Sequence, residues 1–216
     1  MKPKLLSSLG SQHARRVRVL AHELNLDIDI EEVMYGPQGF GGEQRDQFLA
    51  LNPNGKVPVL RHGDMVLWES NAIMWYLAEL HGDNPLWPSD RRERAQIAMW
   101  QVWQAAHVTP AADGLFYENR VKPMFLKQDP DSSQVEQHTQ SFHRWMAVME
   151  HYLENADYLA LGRFTCADIS ISAALMQAES SRMPIGDHPR VQAWLERVQA
   201  RPSWVETEPP PMPGPG

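Results

Sequence analysis

Two adjacent side chains, Glu69 and Ser70, stand where a short apolar strand segment runs into a helical stripe. The start of a helix carries unpaired N–H groups and the positive end of its dipole, so it attracts anions. Ser70 adds a hydroxyl and Glu69 a negative charge. Together they suit a group bearing both a carboxylate and an ammonium, such as the end of an α-amino acid. The same pair also reads as an ordinary N-cap beside a surface acid. Val57-Pro58 is the second candidate. Proline inside a strand removes a ladder donor. A cis peptide there would turn the edge outward. The N–H and C=O of Val57 would then be left to pair with an extended peptide. The alternative is an edge strand whose proline only blocks aggregation. Cys166 is the single cysteine, which excludes an internal disulfide and a CxxC dithiol mechanism within this chain. Nine histidines are scattered without a His-x₃-His or Cys–His cluster, so no metal site is expected.

These residues need elements to hold them. Pro3 to Leu6 reads as a strand. Ser11 then precedes a helix with Ala14, Val17, Leu20, Ala21 and Leu24 on one face. Asp27 to Val33 alternates and predicts a second strand. Gly36 to Gly42 is a Gly-rich loop, and Glu43 to Leu51 a short helix stopped by Asn52-Pro53-Asn54-Gly55. Val57 to Leu60 and Met65 to Trp68 form a hairpin with a three- to four-residue loop. Ile73, Tyr76, Leu77 and Leu80 mark a helix ending near Gly82. The order is βαβαββα. Asp83 to Asp90, with two prolines, reads as a linker. Beyond it the pattern is helical throughout: Arg91 to about Arg120, then stripes running from Val135 to Leu153, Ile169 to Glu179 and Val191 to Val198. The expected division is residues 1–81, a linker 82–90, a helical domain 91–206 and a Pro/Gly-rich tail 207–216, ending PPPMPGPG, which cannot form a helix or ladder.

Composition narrows the classes. The net charge is −7, with 20 Lys and Arg against 27 Asp and Glu, which argues against a nucleic-acid partner. The basic cluster Arg15, Arg16 and Arg18 reads as a solvated helix face. No run approaches the roughly eighteen apolar residues of a membrane span. With no apolar leader at the N-terminus, the expected compartment is the cytoplasm. Thr165 and Asp168 have the T-x-x-D spacing of a capping box, so Cys166 between them reads as a buried structural residue.

The run NPNGKVPVL, followed eight residues later by ESNAIMWYLAE, resembles the glutathione-binding half of the cytosolic glutathione transferase family. Ser11-Gln12-His13-Ala14-Arg15-Arg16-Val17 is similar to the active-site turn of its serine-type, bacterial members. Phe164-Thr165-Cys166-Ala167-Asp168-Ile169 resembles the family's capping box, and His188-Pro189-Arg190 with Trp194-Leu195 its closing helix. The resemblance spans residues 3 to about 205. It implies a thioredoxin-like α/β domain followed by an all-helical one, usually as a homodimer. It implies glutathione as co-substrate, extended along Val57 and Pro58, with its γ-glutamyl end at Glu69 and Ser70 and its glycyl end near Lys56. Gln38 and Phe40 fall in the loop where other relatives place glycyl-end contacts. Ser11 would hydrogen-bond the thiolate; Ser7 and Ser8 compete for that role, and Gln12 stands where a proline is usual. His13 reads as a partly exposed surface residue, with contact to the ligand as the alternative. The electrophile, a small hydrophobic compound or a peroxide, would lie between the domains, against Trp100, Trp103, Gln104, His107 and Phe116. Two rival functions remain open on the sequence alone: a glutathione-dependent disulfide reductase, and a binding module of the same fold without catalysis.

Overall fold

The computed structural model describes residues 1–34 and 42–209. The Gly-rich loop with Gln38 and Phe40, and the tail from Pro210 onward, lie outside them. The chain divides into two compact units, one formed by Met1–Trp87 and a stretch beginning at Pro202, the other by Pro88–Arg201.

The first unit contains β1 (Lys4–Ser7), α1 (Gln12–Glu23), β2 (Asp29–Glu32), α2 (Arg45–Leu51), β3 (Val59–His62), β4 (Met65–Trp68) and α3 (Ser70–His81). The strands form one mixed sheet in the order β2-β1-β3-β4. β1 runs parallel to β2, as a helical crossover through α1 requires, while β3 and β4 are antiparallel. The β3–β4 turn holds only Gly63 and Asp64, because His62 pairs directly with Met65. Gly63 takes a φ of +65°, which lets the turn be tighter than the spacing suggested. On one side of the sheet Leu6, Val33, Phe48 and Val59 are buried together, with Leu51 and Val57 packed against them. In α3 the buried stripe is Ile73, Met74, Leu77 and Ala78, whereas Leu80 is 53% exposed.

The expected linker is largely structured. Asn84 donates to the carbonyls of Ala78 and Gly82 and accepts from the N–H groups of Leu86 and Trp87. Trp87 is buried and stacks on Trp75 with ring centroids 5.6 Å apart. The boundary therefore falls after Trp87, inside the segment read as a linker.

The basic cluster on α1 is also not a solvated face. Arg15, Arg16 and Arg18 are 3%, 2% and 6% exposed. Arg15 lies over the Trp204 ring at 3.9 Å and donates to the Trp204 carbonyl. Arg18 donates to Ser7 Oγ and to the Leu9 carbonyl. Trp204 belongs to α9 (Pro202–Glu206), a short helix that the sequence pattern did not single out. It packs on α1 and joins the first unit, through Ser203 to Glu23 and Glu206 to His22 as well. Cover from distant residues, not periodicity along α1, buries these cations.

The second unit is helical: α4 (Arg91–Trp103), α5 (Thr109–Phe116), α6 (Ser132–Tyr152), α7 (Cys166–Ala174) and α8 (Pro189–Gln199). Two π-helical stretches, Gln104–Val108 and Tyr117–Leu126, connect and extend α4 and α5. Pro110 and Pro123 account for them. Each lacks an N–H and presses on the carbonyl four residues earlier, so a wider turn relieves the ladder. The core holds Ile97, Leu115, Phe142, Met146 and Trp194. α7 is buried along its whole length and opens with the full capping box. The Asp168 carboxylate accepts from the N–H and hydroxyl of Thr165, the N–H of Leu159 and the indole of Trp194. Cys166 is buried beside it, and burial raises its thiol pKa, so it is not a nucleophile. Among the described residues, no helix is long and apolar enough to cross a membrane.

Candidate functional site

The Val57–Pro58 peptide bond is cis. The chain reaches it from a turn pinned by Asn52, whose side chain donates to the Lys56 carbonyl and accepts from the N–H of Asn54. β3 begins only at Val59, so Val57 lies beyond the ladder. Among the described residues, nothing pairs with the main-chain N–H or C=O of Val57.

Glu69 and Ser70 form the junction of β4 and α3. Glu69 has φ +73° and ψ 108°, in a region that costs a non-glycine residue about 1–3 kcal/mol. Its carbonyl accepts from the N–H of Ile73, so the strained residue is the one that starts the helix. Ser70 comes next, nearly buried at 6% exposure, with no acid in the first turn to neutralise the helix end. The N–H groups of Ser70, Asn71 and Ala72 have no intrahelical acceptor. The Glu69 side chain is exposed beside them.

A small cavity of about 80 Å³ unites these parts. Its walls are His13, Asn52, Asn54, Lys56, Val57, Pro58, Glu69 and Ser70. Five residues singled out from the sequence thus share one recess. The sixth, Ser11, is not on its wall. It is the N-cap of α1, half-buried, and its Oγ accepts from the N–H of Ala14 at 3.2 Å. That bond fills one lone pair and leaves the hydroxyl proton to donate elsewhere. The first turn of α1 also contains no acid. Ser7 is fully buried, and its Oγ accepts from Arg18, so burial keeps it from a ligand. Ser8 lends its carbonyl to the N–H of Ser11 at 3.1 Å.

His13 is partly exposed, as the sequence reading had it, and it stands on the cavity wall. Burial, then the charges of Arg16 and Lys56, push its pKa down to about 3. A neutral imidazole therefore faces the recess.

In the helical unit, Gln104 is fully buried and hydrogen-bonds Thr109. It is a core residue, which corrects the expectation that it lines a pocket: the π-helical turn aims it inward. Trp103 and His107 are half-buried in an aromatic cluster, with His107 and Trp145 rings 4.3 Å apart and Trp103 edge-on to Trp100 at 5.2 Å. Phe116 is half-buried and Trp100 buried. Among the described residues, no group of three or more His, Cys, Asp or Glu could hold a metal ion.

A thioredoxin-like unit with a cis-proline edge and an amino-acid-sized recess at a helix start, joined to a helical unit, defines a protein suited to hold an extended peptide by its amino-acid end. Comparison with known proteins makes it specific. Residues 10–80 match the glutathione S-transferase N-terminal domain and residues 116–202 the glutathione S-transferase C-terminal domain. Glutathione S-transferase 3 of Zea mays is 34% identical over 94% of this chain and 92% of its own. A solved structure of glutathione S-transferase III in apo form superposes with a TM-score of 0.82 at 30% identity, covering 99% of this chain and all of that one. A possible glutathione S-transferase from Rhodopseudomonas palustris gives 0.81 at 28% identity over 98% and 92% of the two chains. The chain belongs to the glutathione S-transferase family.

Proposed function

We propose that the protein is a serine-type glutathione transferase, which activates the thiol of glutathione for attack on a small hydrophobic electrophile or a peroxide. One observation carries the reading: the unpaired main chain of Val57 and the Glu69–Ser70 helix start share a single recess. The tripeptide lies extended against Val57 beside Pro58. Its γ-glutamyl carboxylate takes the N–H groups at the start of α3 and the Ser70 hydroxyl, and its ammonium faces Glu69. Exposed Lys56 serves the glycyl carboxylate.

Ser11 acts on the sulfur. Its hydroxyl is too weak an acid to serve as a base; it donates a hydrogen bond to the thiolate. The Ala14 N–H holds its oxygen in place, and the start of α1 adds partial positive charge. A free thiol has a pKa of about 8.5, so only a few per cent is ionised at pH 7. Lowering it by about two units takes roughly 2.7 kcal/mol, within reach of a charge-assisted hydrogen bond and a helix end. The proton leaves to solvent, and the thiolate lone pair forms the new bond to carbon as the leaving group departs with its electron pair. With a peroxide it takes one oxygen as the O–O bond breaks, an alcohol leaves after protonation, and a second glutathione converts the sulfenic acid to disulfide and water. Trp103, His107 and Phe116 are the helical unit's candidates for contact with it.

The same reading includes a homodimer, a cytoplasmic location and a kinship with bacterial serine-type members. Exposed Met99 and Val102 on α4 and Val66 and Trp68 on β4 are apolar surface a second copy would cover. Calorimetry with glutathione tests the core of the proposal. We expect saturable binding in the micromolar to millimolar range, lost in Glu69→Gln with Ser70→Ala. An absence of binding at several millimolar would remove it. Sedimentation at micromolar protein should give twice the 24.7 kDa chain mass.

A further inference from the structure

We propose that His13 is a glutathione-binding residue, whose imidazole N–H hydrogen-bonds the γ-glutamyl carboxylate at the start of α3. The inference rests on the reading of the Glu69–Ser70 recess as the glutathione site. Its own support is geometric. His13 stands in the first turn of α1, two residues after Ser11, and lines the same cavity as Glu69 and Ser70. Arg16 lies three residues on, so the two side chains share one face of the helix. That face meets α3 at its N-terminus, because Arg16 Nη1 donates to Asn71 Oδ1 at 3.3 Å, and Asn71 is the residue directly after Ser70. His13 is thereby set beside the N–H groups that would hold the carboxylate. Charged groups around it come from three elements: Arg16 on α1, Lys56 in the turn before β3, and Glu69 at α3.

The ring's charge state gives the contact its character. Held neutral, it keeps one N–H donor and one acceptor throughout the physiological range. It adds a directional hydrogen bond without a second full charge beside Lys56. A bound carboxylate raises the ring's pKa from its low start, so the contact is expected to stay steady across the physiological range, where an ordinary histidine with its pKa near 6.5 would titrate.

The test compares the parent with His13→Phe and His13→Gln. Their KM and kcat are measured with glutathione, and their affinity for S-methylglutathione by calorimetry, since that peptide needs no thiolate. Losing a hydrogen bond to a charged group is expected to raise KM and the dissociation constant about tenfold in His13→Phe. kcat should move by a smaller factor, and the glutamine amide should recover most of the loss. Should the phenylalanine variant fail to fold, His13→Ala takes its place with the same expectation. γ-Glutamylcysteine, which lacks the glycyl end, should lose the same factor as glutathione; a loss that vanished with it would overturn the assignment to the γ-glutamyl carboxylate. The parent's affinity for S-methylglutathione should stay flat from pH 5.5 to 7.5. An increase on acidification that His13→Gln abolishes would overturn the neutral donor. Variants that bind like the parent would sink this proposal alone, whereas a parent that binds no glutathione would sink the site itself.

Discussion

At the scale of single residues, Ser11 and Asp168 show how local hydrogen bonds and burial set what a polar side chain can do. Ser11 keeps its donor free because a backbone N–H occupies its acceptor side. Ser11→Ala should lower kcat/KM with an aryl halide by about ten- to a hundredfold, the worth of one hydrogen bond to a charge. The ultraviolet absorbance of bound thiolate should shift its midpoint toward higher pH in the same variant. An unchanged midpoint would point to Ser8. Asp168 is a carboxylate fully enclosed in the helical unit. Burial pushes its pKa up to about 6, against four hydrogen bonds that pull it down. The folded protein therefore binds its proton more tightly than the unfolded chain, where the group titrates near 3.9. Its contribution to stability is present below about pH 4 and is lost as pH rises through 6. Urea unfolding at pH 4.5 and 7 should show this slope superposed on the rest of the protein, and Asp168→Asn should remove it while weakening the fold. The residue scale is also where the sequence was most and least legible. Glu69-Ser70 could be read because strand, acid, serine and helix are contiguous. The neighbours of His13 could not, since Lys56 and the α3 start, which share its cavity, are remote in the chain.

At the scale of elements, periodicity located most helices, and proline explains where it misled. Arg91 to Arg120 reads as one helix, yet Pro110 and Pro123 force wider turns that rotate the neighbouring helical faces. A rotated face carries Gln104 inward, which no stripe of apolar residues could announce. The contact of α5 with α6 is set by an absence of side chain. A Cβ at Gly114 would lie 2.3 Å from the His138 ring. Gly114→Ala should therefore destabilise by about 1–3 kcal/mol, despite its better helix propensity. Adding His138→Ala should recover much of that loss in a double-mutant cycle read by thermal unfolding. Additive losses would mean the helices do not touch there. The capping box of α7 was legible in full because Thr165 and Asp168 are only three residues apart. The tight β3–β4 turn was not, since Gly63 decides its length through φ alone.

At the scale of the molecule, the chain leaves its first unit after Trp87 and returns to it at Pro202. The return is what buries Arg15. Trp204→Ala should cost about 3–5 kcal/mol, since a large buried ring is lost and the guanidinium beneath it is left open. Hydrogen exchange should localise the added opening to α1, and a uniform change across both units would contradict it. Two-unit organisation was legible from the switch of pattern near residue 85; the return was hidden, because a five-residue helix after Arg201 has too little periodicity to stand out.

The clasp of α9 on α1 also sets a schedule for biosynthesis. A nascent chain exposes its first eighty-seven residues long before the ribosome has made Trp204. At about 5–20 residues per second, α1 waits on the order of ten seconds for its cover. Throughout that interval an arginine destined for the interior stands in water, and the first-made part of the enzyme is finished by the last.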